Sequence, residues 1–440
     1  MNTNKVSLLH YDQPLAPVRQ ALELCGGLER IGAQTRVVLK PNVVFWTAAV
    51  AFPKWGVVTT SRLVHDMVRL LTEHGVEDIT IVEGVVNSRR KDHATTAHAF
   101  ETLGYNRLAK RYGVRVLDAF LRPYQEIDLG EGMKLSFNLD ALQADLVITL
   151  PVMKTHAQTV VSLGLKNLKG LIDVNSRKRC HSADPDKDLH YWVSRLAEPL
   201  PPVLAVIDGT YTSEYGPGFE SVAHRSNLLA ASWDLLSADK VGAALLGYSP
   251  EQVPHLAHAL RKAGRPLDLS DVDLQGESLQ ENARLHRWSF PYTEDGLLPA
   301  FMAKKGVRGL SYHKYDTTLC TYCSAINGLV LSSIMEAWQG DSFDEVEVLT
   351  GKLMKPRAEA RKTILLGRCM YQAHKDNPDI REMIAVRGCP PQPEQIVKAL
   401  HQAGIRVDPA LFAHMDRAPG MYLKRYQGRP EFDESLFRVL

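Results

Sequence analysis

The sequence predicts an α/β protein, in which a largely parallel, layered-sheet domain is followed by a smaller α/β domain that contains cysteines. Over the first 250 residues, short β-rich runs alternate with helical patterns, which is typical of parallel strands joined by helices. Hydrophobic residues make up 45% of the chain and charged residues 23%, as in ordinary globular proteins. The character of the sequence changes near residues 291–299. We therefore predict domains over residues 1–295 and 296–406, and a surface-wrapping C-terminal tail over residues 407–440.

Local patterns define the elements of the first domain. Runs typical of buried strands occupy residues 36–40, 78–83, 145–150, 203–208 and 228–232. Between the first two strands, residues 61–74 carry apolar side chains at helical spacing, and we expect Ser61 and Gly75 to cap the two ends of that helix. A further helix is expected over residues 237–246. This order of strands and helices is the basis for the layered sheet.

Charge and hydropathy argue against several classes of protein. Lys and Arg total 52 and Asp and Glu total 50, so the formal charge of +2 gives no electrostatic argument for binding nucleic acid or a membrane surface. The sequence has no run of about 18 apolar residues, which argues against a transmembrane helix. Its first residues lack the apolar stretch and cleavage site of a signal peptide. We therefore expect a cytoplasmic protein.

Four of the six cysteines lie in the last third of the chain, at the ends of predicted elements. The second domain is predicted to contain helices over residues 324–338 and 393–402 and strands over residues 346–350 and 363–366. Cys320 and Cys323 form a C-x-x-C before the first of these helices. Cys369 follows the second strand, and Cys389 lies in a Gly-Cys-Pro-Pro sequence before the last helix. Because all four lie at element ends, they can converge.

This cysteine arrangement favours an iron–sulfur cluster. A cubane cluster needs four thiolates, and ferredoxin-type runs end in Cys-Pro, as Cys389 does here. Helix N-termini also favour the thiolate form. Two alternatives stay open: a structural zinc site, although such sites commonly have two C-x-x-C pairs, or cysteines that are merely buried apolar residues. Cys25 and Cys180 have no partner at a suitable spacing and are expected to be structural.

A basic segment that contains an amide side chain follows the strand predicted over residues 145–150. Its sequence, LPVMKTHAQTVVSLGLKNLKGLI, covers residues 150–172. We expect a loop at the carboxyl end of the strand, where α/β sheets bind ligands. The side chains that favour an anion site there are Lys154, His156, Lys166, Asn167 and Lys169. The alternative is a solvated charged loop.

Further candidate residues follow other strands. Lys40 and Asn42 flank a proline and either contact a substrate or cap the local backbone. Glu83 ends the next strand, either as a general base or as a salt-bridge partner of Lys40. Asp208 precedes Gly209, and an Asp-Gly turn is its alternative explanation. The sequence lacks the nucleotide motifs G-x-x-x-x-G-K-[ST] and G-x-G-x-x-G and the hydrolase motifs G-x-S-x-G and H-E-x-x-H.

Five motifs resemble one known family in their order and spacing. They are Lys40-Pro41-Asn42, TIVEG at residues 80–84, the basic segment at residues 150–172, Ile207-Asp208-Gly209 with Gly216-Pro217-Gly218, and SWDLLSADKVGAALLG at residues 232–247. Together they resemble the domain of unknown function 362 family, whose members are often described as iron–sulfur proteins. The resemblance implies an α/β domain over residues 36–250 and cluster binding by additional cysteine-containing segments. Many members carry a compact ferredoxin insert, whereas this chain has four dispersed cysteines.

Two shorter segments resemble other proteins. GCPPQPEQIV resembles the cluster site in the small subunits of respiratory complex I and of nickel–iron hydrogenases, which implies a cluster ligand at Cys389. His156 and Lys166 have the spacing found in a loop of nickel-pincer lactate racemases. Those enzymes have Ser-Gly-Gly before the lysine, where this chain has Ser162-Leu163-Gly164. The second resemblance suggests shared architecture only.

The leading hypothesis is a 4Fe-4S redox enzyme that acts on a small anionic substrate. The expected cluster ligands are Cys320, Cys323, Cys369 and Cys389. The expected catalytic residues are His156 as proton donor, Lys166 and Glu83, and the expected substrate-binding residues are Lys40, Asn42, Lys154, Asn167, Lys169 and Asp208. An electron donor such as ferredoxin or flavodoxin is the expected partner, a homodimer stays open, and neither nucleic-acid binding nor membrane insertion is expected. The alternatives are an electron-transfer or cluster scaffold protein without its own substrate, and a zinc-stabilised non-redox enzyme.

Overall fold

Two units, each built on its own sheet, make up this computed structural model, which describes residues 4–86 and 93–439. The first unit comprises Met1–Cys180, His190–Ser289 and Pro419–Leu440, and the second comprises His181–Leu189 and Phe290–Ala418. The α/β class predicted from the sequence is confirmed. The units differ from the predicted domain bounds because the second begins near residue 290 and the last residues return to the first unit.

The main sheet of the first unit is mostly parallel. Within the described residues, the strands of this unit are β1 (Lys5–His10), β2 (Arg36–Pro41), β3 (Asp78–Glu83), β4 (Arg115–Asp118), β5 (Tyr124–Asp128), β6 (Lys134–Asn138), β7 (Leu146–Leu150), β8 (Val152–His156), β9 (Val160–Ser162), β10 (Val203–Glu214), β11 (Val222–Ser232) and β12 (Asp273–Gly276). The sheet order is β12-β1-β11-β10-β7-β2-β3-β4, with β8 beside β10 and β9 beside β8, while β5 and β6 form a separate pair. From β10 through β7, β2 and β3 to β4, neighbouring strands run parallel.

Helices of the first unit connect these strands. They are α1 (Ala16–Leu24), α2 (Ser61–Glu73), α3 (His93–Thr102), α4 (Tyr105–Tyr112), α5 (Leu139–Gln143), α6 (Gly164–Asn167), α7 (Val174–Cys180), α8 (Leu189–Ser194), α9 (Leu235–Leu245), α10 (Pro254–Lys262) and α11 (Leu279–Asn282). Helix α2 illustrates why they form: its apolar residues recur at helical spacing and are buried against the sheet core. Thr60, rather than the predicted Ser61, caps this helix by accepting a hydrogen bond from Leu63 N.

The second unit is a smaller parallel α/β layer. Its elements are α12 (Ala300–Lys304), β13 (Leu310–Tyr312), α13 (Thr321–Ala337), β14 (Val346–Leu349), β15 (Lys362–Leu366), α14 (Arg368–His374), β16 (Glu382–Val386), α15 (Pro393–Gln402) and α16 (Pro409–Ala413). Its four strands lie in chain order and are all parallel. Apolar side chains of α13 and α15 pack on the sheet in one core. The carboxyl ends of all four strands therefore meet at one edge.

The basic segment over residues 150–172 differs from the predicted loop. Its first half forms β8 and β9, an antiparallel pair in which His156 faces Val160 across the ladder. Strand β8 also pairs in parallel with the second half of β10, so that the segment extends the main sheet. Only the second half, with the short helix α6 and a 3-10 turn at Leu168–Leu171, leaves the sheet. Alternation alone did not predict these strands, because nearly all of their residues are buried on both faces.

The last residues contribute to the core rather than wrapping the surface. Phe437 is 1% exposed, and its ring stacks on Tyr211 of β10 with centroids 6.1 Å apart. Tyr426 is buried against Trp55, and its hydroxyl accepts a hydrogen bond from Ala223 N. These aromatic residues have no helical or strand periodicity, so their burial is decided by the tertiary packing.

No helix within residues 4–86 and 93–439 is both long enough and apolar enough to span a bilayer.

We expect Phe437→Ala to destabilise the first unit by about 3–5 kcal/mol, because a buried aromatic ring would be replaced by a cavity. Urea denaturation followed by tryptophan fluorescence would measure the change. Met421→Ala is the matched control, since Met421 is 56% exposed and its loss should change the free energy of unfolding by no more than about 0.5 kcal/mol. Equal small effects of the two substitutions would contradict the packing of the C-terminal residues described above.

Candidate functional site

Candidate residues meet at the carboxyl edge of the main sheet of the first unit. Lys40 and Asn42 lie at the end of β2, Glu83 at the end of β3, and β8 begins just after β7. Asp208 lies on β10 opposite Val152. Because β2, β3, β7 and this part of β10 are parallel, their carboxyl ends face the same side. The structure thus brings together side chains that are far apart in the sequence.

Lys40 and Glu83 form a buried ion pair. Lys40 Nζ donates to Glu83 Oε2 over 2.7 Å and to Pro41 O over 2.7 Å, and both side chains are 1% exposed. The same carboxylate accepts hydrogen bonds from Val43 N and Gly84 N. Burial lowers the pKa of Lys40, while the neighbouring Glu83 opposes that shift. Of the two roles that the sequence leaves open for Glu83, the contact with Lys40 is the one observed.

A chain of amide and lysine hydrogen bonds continues from this ion pair. Asn167 Nδ2 donates to Lys40 O and to Thr149 Oγ1, each over 2.9 Å. Asn42 Nδ2 donates to Asn167 Oδ1, and Lys154 Nζ donates to Asn42 Oδ1 and Val57 O over 2.8 and 2.7 Å. Burial lowers the pKa of Lys154 to about 7. These contacts tie β2, β8 and α6 together and engage side chains that were predicted to bind substrate.

Asp208 holds the start of α2. Its Oδ2 accepts hydrogen bonds from the backbone N and the hydroxyl of Thr60, both over 2.7 Å, and its Oδ1 accepts one from Thr210 N. Thr60 is the residue that caps α2. The carboxylate was predicted to bind substrate or to form an Asp-Gly turn. In the structure it instead joins β10 to the helix.

His156 ends β8 in a tight turn toward β9. Gln158 N donates to its Nδ1 over 3.1 Å, and Thr159 N donates to its backbone oxygen. Val160, which faces His156 across the ladder, has φ of +65°, a conformation that β-branched residues rarely adopt. The turn and both strands therefore constrain the imidazole closely. Such strain is typical of functional sites, although it does not by itself identify one.

The imidazole of His156 contacts Lys166. Lys166 Nζ lies 3.3 Å from His156 Nε2, and Lys166 is only partly exposed. Burial is the largest cause that lowers the pKa of Lys166, and the positive charges of Lys169, Lys154 and Arg177 lower it further. Lys169 itself is buried on the following turn. This arrangement is an amine and an imidazole in contact within a cationic environment.

Asp239 lies outside the set of site residues predicted from the sequence, and it holds the turn that carries Lys166. From α9 its two carboxylate oxygens accept hydrogen bonds from Gly164 N and Leu165 N over 2.7 and 2.9 Å. A side chain at position 164 would come within 2.8 Å of the carboxylate and 2.4 Å of Leu235, so this close approach requires glycine. Burial raises the pKa of Asp239 to about 7, against the effect of the two amides.

Glu220 is a second residue that sequence reasoning missed. Burial raises the pKa of its carboxyl, while the positive charge of Lys154 opposes that shift. The turn at Gly216-Pro217-Gly218 just before it packs on β8, since Ala157 N donates to Gly216 O over 3.1 Å. Only the position of Glu220, two residues after a motif that had been noted, could have pointed to it.

One surface cavity of the first unit lies away from these residues. A cavity of about 360 Å³ in the first unit is lined by residues that include Trp55, Tyr426 and Phe432. None of the lysines or His156 contributes to its lining.

In the second unit, the four predicted cysteines occupy the carboxyl edge of the sheet. Cys320 is the N-cap residue of α13, Cys369 lies in the first turn of α14, and Cys389 lies between β16 and α15. The hydrogen bond to Cys320 is the first cause that raises the pKa of Cys323, followed by burial and by negative charge at Cys320, Cys389 and Cys369. Cys320, Cys369 and Cys389 therefore lie within electrostatic reach of Cys323.

Gly367, which precedes α14, has a backbone conformation that favours glycine and lies beside Cys323. Its φ is +102°, and a Cβ there would lie 3.8 Å from Cys323 Sγ. Cys369 and Cys389 are exposed. Across the described residues, no group of three or more His, Cys, Asp or Glu side chains is arranged to hold a metal ion.

We expect Asp239→Asn to lower the free energy of unfolding of the first unit by about 1–3 kcal/mol, since one of two buried amides loses its acceptor. Hydrogen exchange at Gly164 and Leu165 should accelerate. Because the folded pKa of about 7 lies above the ordinary aspartate value of 3.8, this group's contribution to stability is lost as pH rises from about 4 to 7. The fall in the free energy of unfolding between about pH 4 and 7 should be smaller in the variant. The same pH dependence of unfolding in the two proteins would contradict the raised pKa.

A model of one protein family matches part of the first unit. Residues 37–244 match the model described as "Domain of unknown function (DUF362)". A thylakoid-associated protein of Synechocystis sp. is 27% identical over 247 residues, which cover 55% of this chain and 73% of that protein.

Two solved structures were also matched. The lactate racemase apoprotein from Thermoanaerobacterium thermosaccharolyticum has a TM-score of 0.35 at 16% identity, over 53% of this chain and 56% of that chain. A structural-genomics protein from Thermotoga maritima has a TM-score of 0.30 at 13% identity, over 49% and 55%. This chain thus spans a little over half the length of each solved structure. The resemblance of the sequence motifs to this family agrees with the match of its model to residues 37–244.

Proposed function

We propose that this chain is a redox enzyme that acts on a small anionic substrate in its DUF362 domain and holds a 4Fe-4S cluster in its second unit. The observation that carries the substrate part is the contact between Lys166 Nζ and His156 Nε2. The electrostatic influence of Cys320, Cys369 and Cys389 on Cys323 supports the cluster part.

An anionic substrate would complement the charge around Lys166. Lys154, Lys169 and Arg177 all act on its amine, so that an added negative charge there is stabilised. Lys166 is partly exposed, whereas Lys154 and Lys169 are buried, which makes Lys166 the lysine of this group best able to reach a ligand. His156 has a nitrogen facing the same point and can transfer a proton there. We therefore assign the substrate-facing roles to Lys166 and His156, while Lys169 contributes positive charge.

The remaining candidates serve as positioning residues in this proposal. Asn42, Lys154 and Asn167 hydrogen-bond to one another, and Asp208 holds α2. Glu83 pairs with Lys40, so that the role of general base falls to His156 or Lys166 rather than to Glu83. This division narrows the sequence hypothesis, in which all of these residues contacted substrate or took part in catalysis.

The four cysteines suit an iron–sulfur cluster by their number and chemistry. Cys320, Cys323, Cys369 and Cys389 would supply the four thiolates that a cubane needs. When bound, the cluster would supply one-electron transfer. The exposure of Cys369 and Cys389 also suits the alternative of an electron-transfer or scaffold protein without its own substrate. A zinc-stabilised non-redox enzyme is the other alternative.

Two expectations from the sequence complete the proposal. An electron donor such as ferredoxin or flavodoxin would be the redox partner, and the protein would act in the cytoplasm. The name of the Synechocystis relative refers to thylakoids, and that description belongs to the relative. Cell fractionation would test the location of this protein directly.

Anaerobically purified protein is expected to contain about four irons and four sulfides per chain, the content of one cubane, and to bleach on reduction with dithionite. Metal and sulfide analysis with visible spectroscopy would measure this. Cys389→Ser should lower cluster content, because the cluster loses one thiolate.

Cys25→Ser is the matched control, since Cys25 is buried in the core of the first unit and should leave cluster content unchanged. Stoichiometric zinc in a colourless protein would contradict the iron–sulfur cluster and support the zinc-stabilised alternative. Unchanged cluster content in Cys389→Ser would contradict that ligand.

Lys166 is expected to react with acetic anhydride at lower pH than an ordinary lysine, whose pKa is about 10.4, because a lowered pKa leaves more neutral amine at neutral pH. Mass spectrometry of peptides after labelling across a pH series would measure the midpoint. Small carboxylates such as oxalate should protect Lys166 at low ionic strength.

Lys178→Met is the control for this labelling, since it removes an amine from α7 without touching the Lys166–His156 contact. A midpoint near that of ordinary lysines, together with no protection by any anion, would overturn the substrate part of the proposal.

A further inference from the structure

The hydrogen bonds of His156 determine the protonation state of the amine that it contacts. Gln158 N donates to His156 Nδ1, so Nδ1 presents a lone pair and the ring proton of the neutral imidazole lies on Nε2. Nε2 lies 3.3 Å from Lys166 Nζ. A ring N–H pairs only with a lone pair, and an ammonium group has none. The contact is therefore a hydrogen bond when Lys166 is a neutral amine.

The surroundings of Lys166 favour the same state. Burial and then the charges of Lys169, Lys154 and Arg177 lower its pKa. A neutral lysine amine in a cationic, desolvated environment is a nucleophile toward carbonyl carbon. The same cations favour a carboxylate or other anionic group on the molecule that presents this carbonyl. Geometry and charge therefore select the same class of ligand.

A second imidazole near Lys166 lacks a partner. His255 on α10 is fully buried, and neither of its ring nitrogens has a hydrogen-bond partner among residues 4–86 and 93–439. Lys166 is one of the charges that act on His255, after burial and His190, so the two side chains lie within electrostatic reach. Buried polar atoms are seldom left unpaired in proteins. An oxygen of a bound ligand can supply the missing partner.

We propose that Lys166 forms an imine with an anionic carbonyl compound of the 2-oxo acid type, which names the substrate class of the site and rests on the proposed function. His156 stabilises the neutral amine by donating a hydrogen bond to its lone pair, and that hydrogen bond breaks when the lone pair attacks the carbonyl carbon. His255 offers a hydrogen bond to an oxygen of the ligand. Lys169 and its cationic neighbours balance the carboxylate.

The step is balanced without any cofactor. Lys166 Nζ attacks the carbonyl carbon, and a C–N bond forms to give a carbinolamine. The C–O bond of the former carbonyl then breaks. Both hydrogens of the amine leave with that oxygen as water, and the product is the neutral imine. Protonation of the imine nitrogen would give an iminium ion, which withdraws electrons from the neighbouring carbon more strongly than the carbonyl did.

The test is reductive trapping. The full-length protein is incubated with pyruvate and sodium cyanoborohydride at neutral pH, and peptides are analysed by mass spectrometry. A secondary-amine adduct is expected on Lys166, is expected to be lost in Lys166→Met and is expected to persist in Lys178→Met. Acetone, which lacks the carboxylate, should give less adduct. His156→Phe should lower the adduct yield about tenfold if the pKa of Lys166 rises by one unit.

The outcomes separate this inference from the proposed function. Adduct spread over exposed lysines and unchanged in Lys166→Met would overturn the imine. No adduct, together with protection of Lys166 from acetic anhydride by carboxylates, would also overturn the imine but would leave the anion site in place. If neither an adduct on Lys166 nor protection of Lys166 were observed, both the imine and the anion site would be overturned. Circular dichroism of each variant would show whether it is folded, and a retained adduct in Lys178→Met excludes a general effect of losing one lysine.

Discussion

The buried ion pair of Lys40 and Glu83 is the constraint on which the candidate site depends. Removing both charges from water is costly, and the pair is tolerated because the carboxylate also accepts backbone hydrogen bonds from Val43 and Gly84. A Cβ at Gly170 would lie 2.6 Å from Lys40 Nζ, so the 3-10 turn after α6 must be glycine where it covers the ammonium group. The ion pair thereby determines how closely the turn that carries the lysines approaches the sheet.

Polar contacts extend this constraint to Lys166. Asn167 joins α6 to β2 through Lys40 O, and Asp239 holds the other end of α6 through Gly164 and Leu165. Buried hydrogen bonds thus hold both ends of the short helix. A helix of four residues has little stability of its own and depends on such tertiary contacts. Lys166 lies between these anchors, opposite a His156 that its own turn constrains. A reactive pair needs such support, because a small displacement removes the contact.

Both units place their chemically active residues at the carboxyl edges of parallel strands. In the first unit the residues are lysines, amides and a histidine after β2, β3 and β7, and in the second they are the cysteines after β13, β15 and β16. The reason is geometric, because parallel strands bring the loops that follow them to one side of the sheet. The same rule predicts convergence in both units and says nothing about which chemistry results.

The sequence by itself determined the alternation of strands and helices, the family motifs, and the placement of four cysteines at element ends, because each follows from short-range pattern. Strands β2, β3 and β7 and helices α2 and α15 lie within a residue or two of their predicted bounds. Tertiary structure alone decided that β8 and β9 join the sheet, that Phe437 returns to the core, and that Asp239 binds the backbone of the turn that carries Lys166. It also decided that Glu83 binds Lys40 and Asp208 binds Thr60. These contacts join residues dozens to hundreds of positions apart, where local propensity carries no information and the burial of polar groups selects the partner.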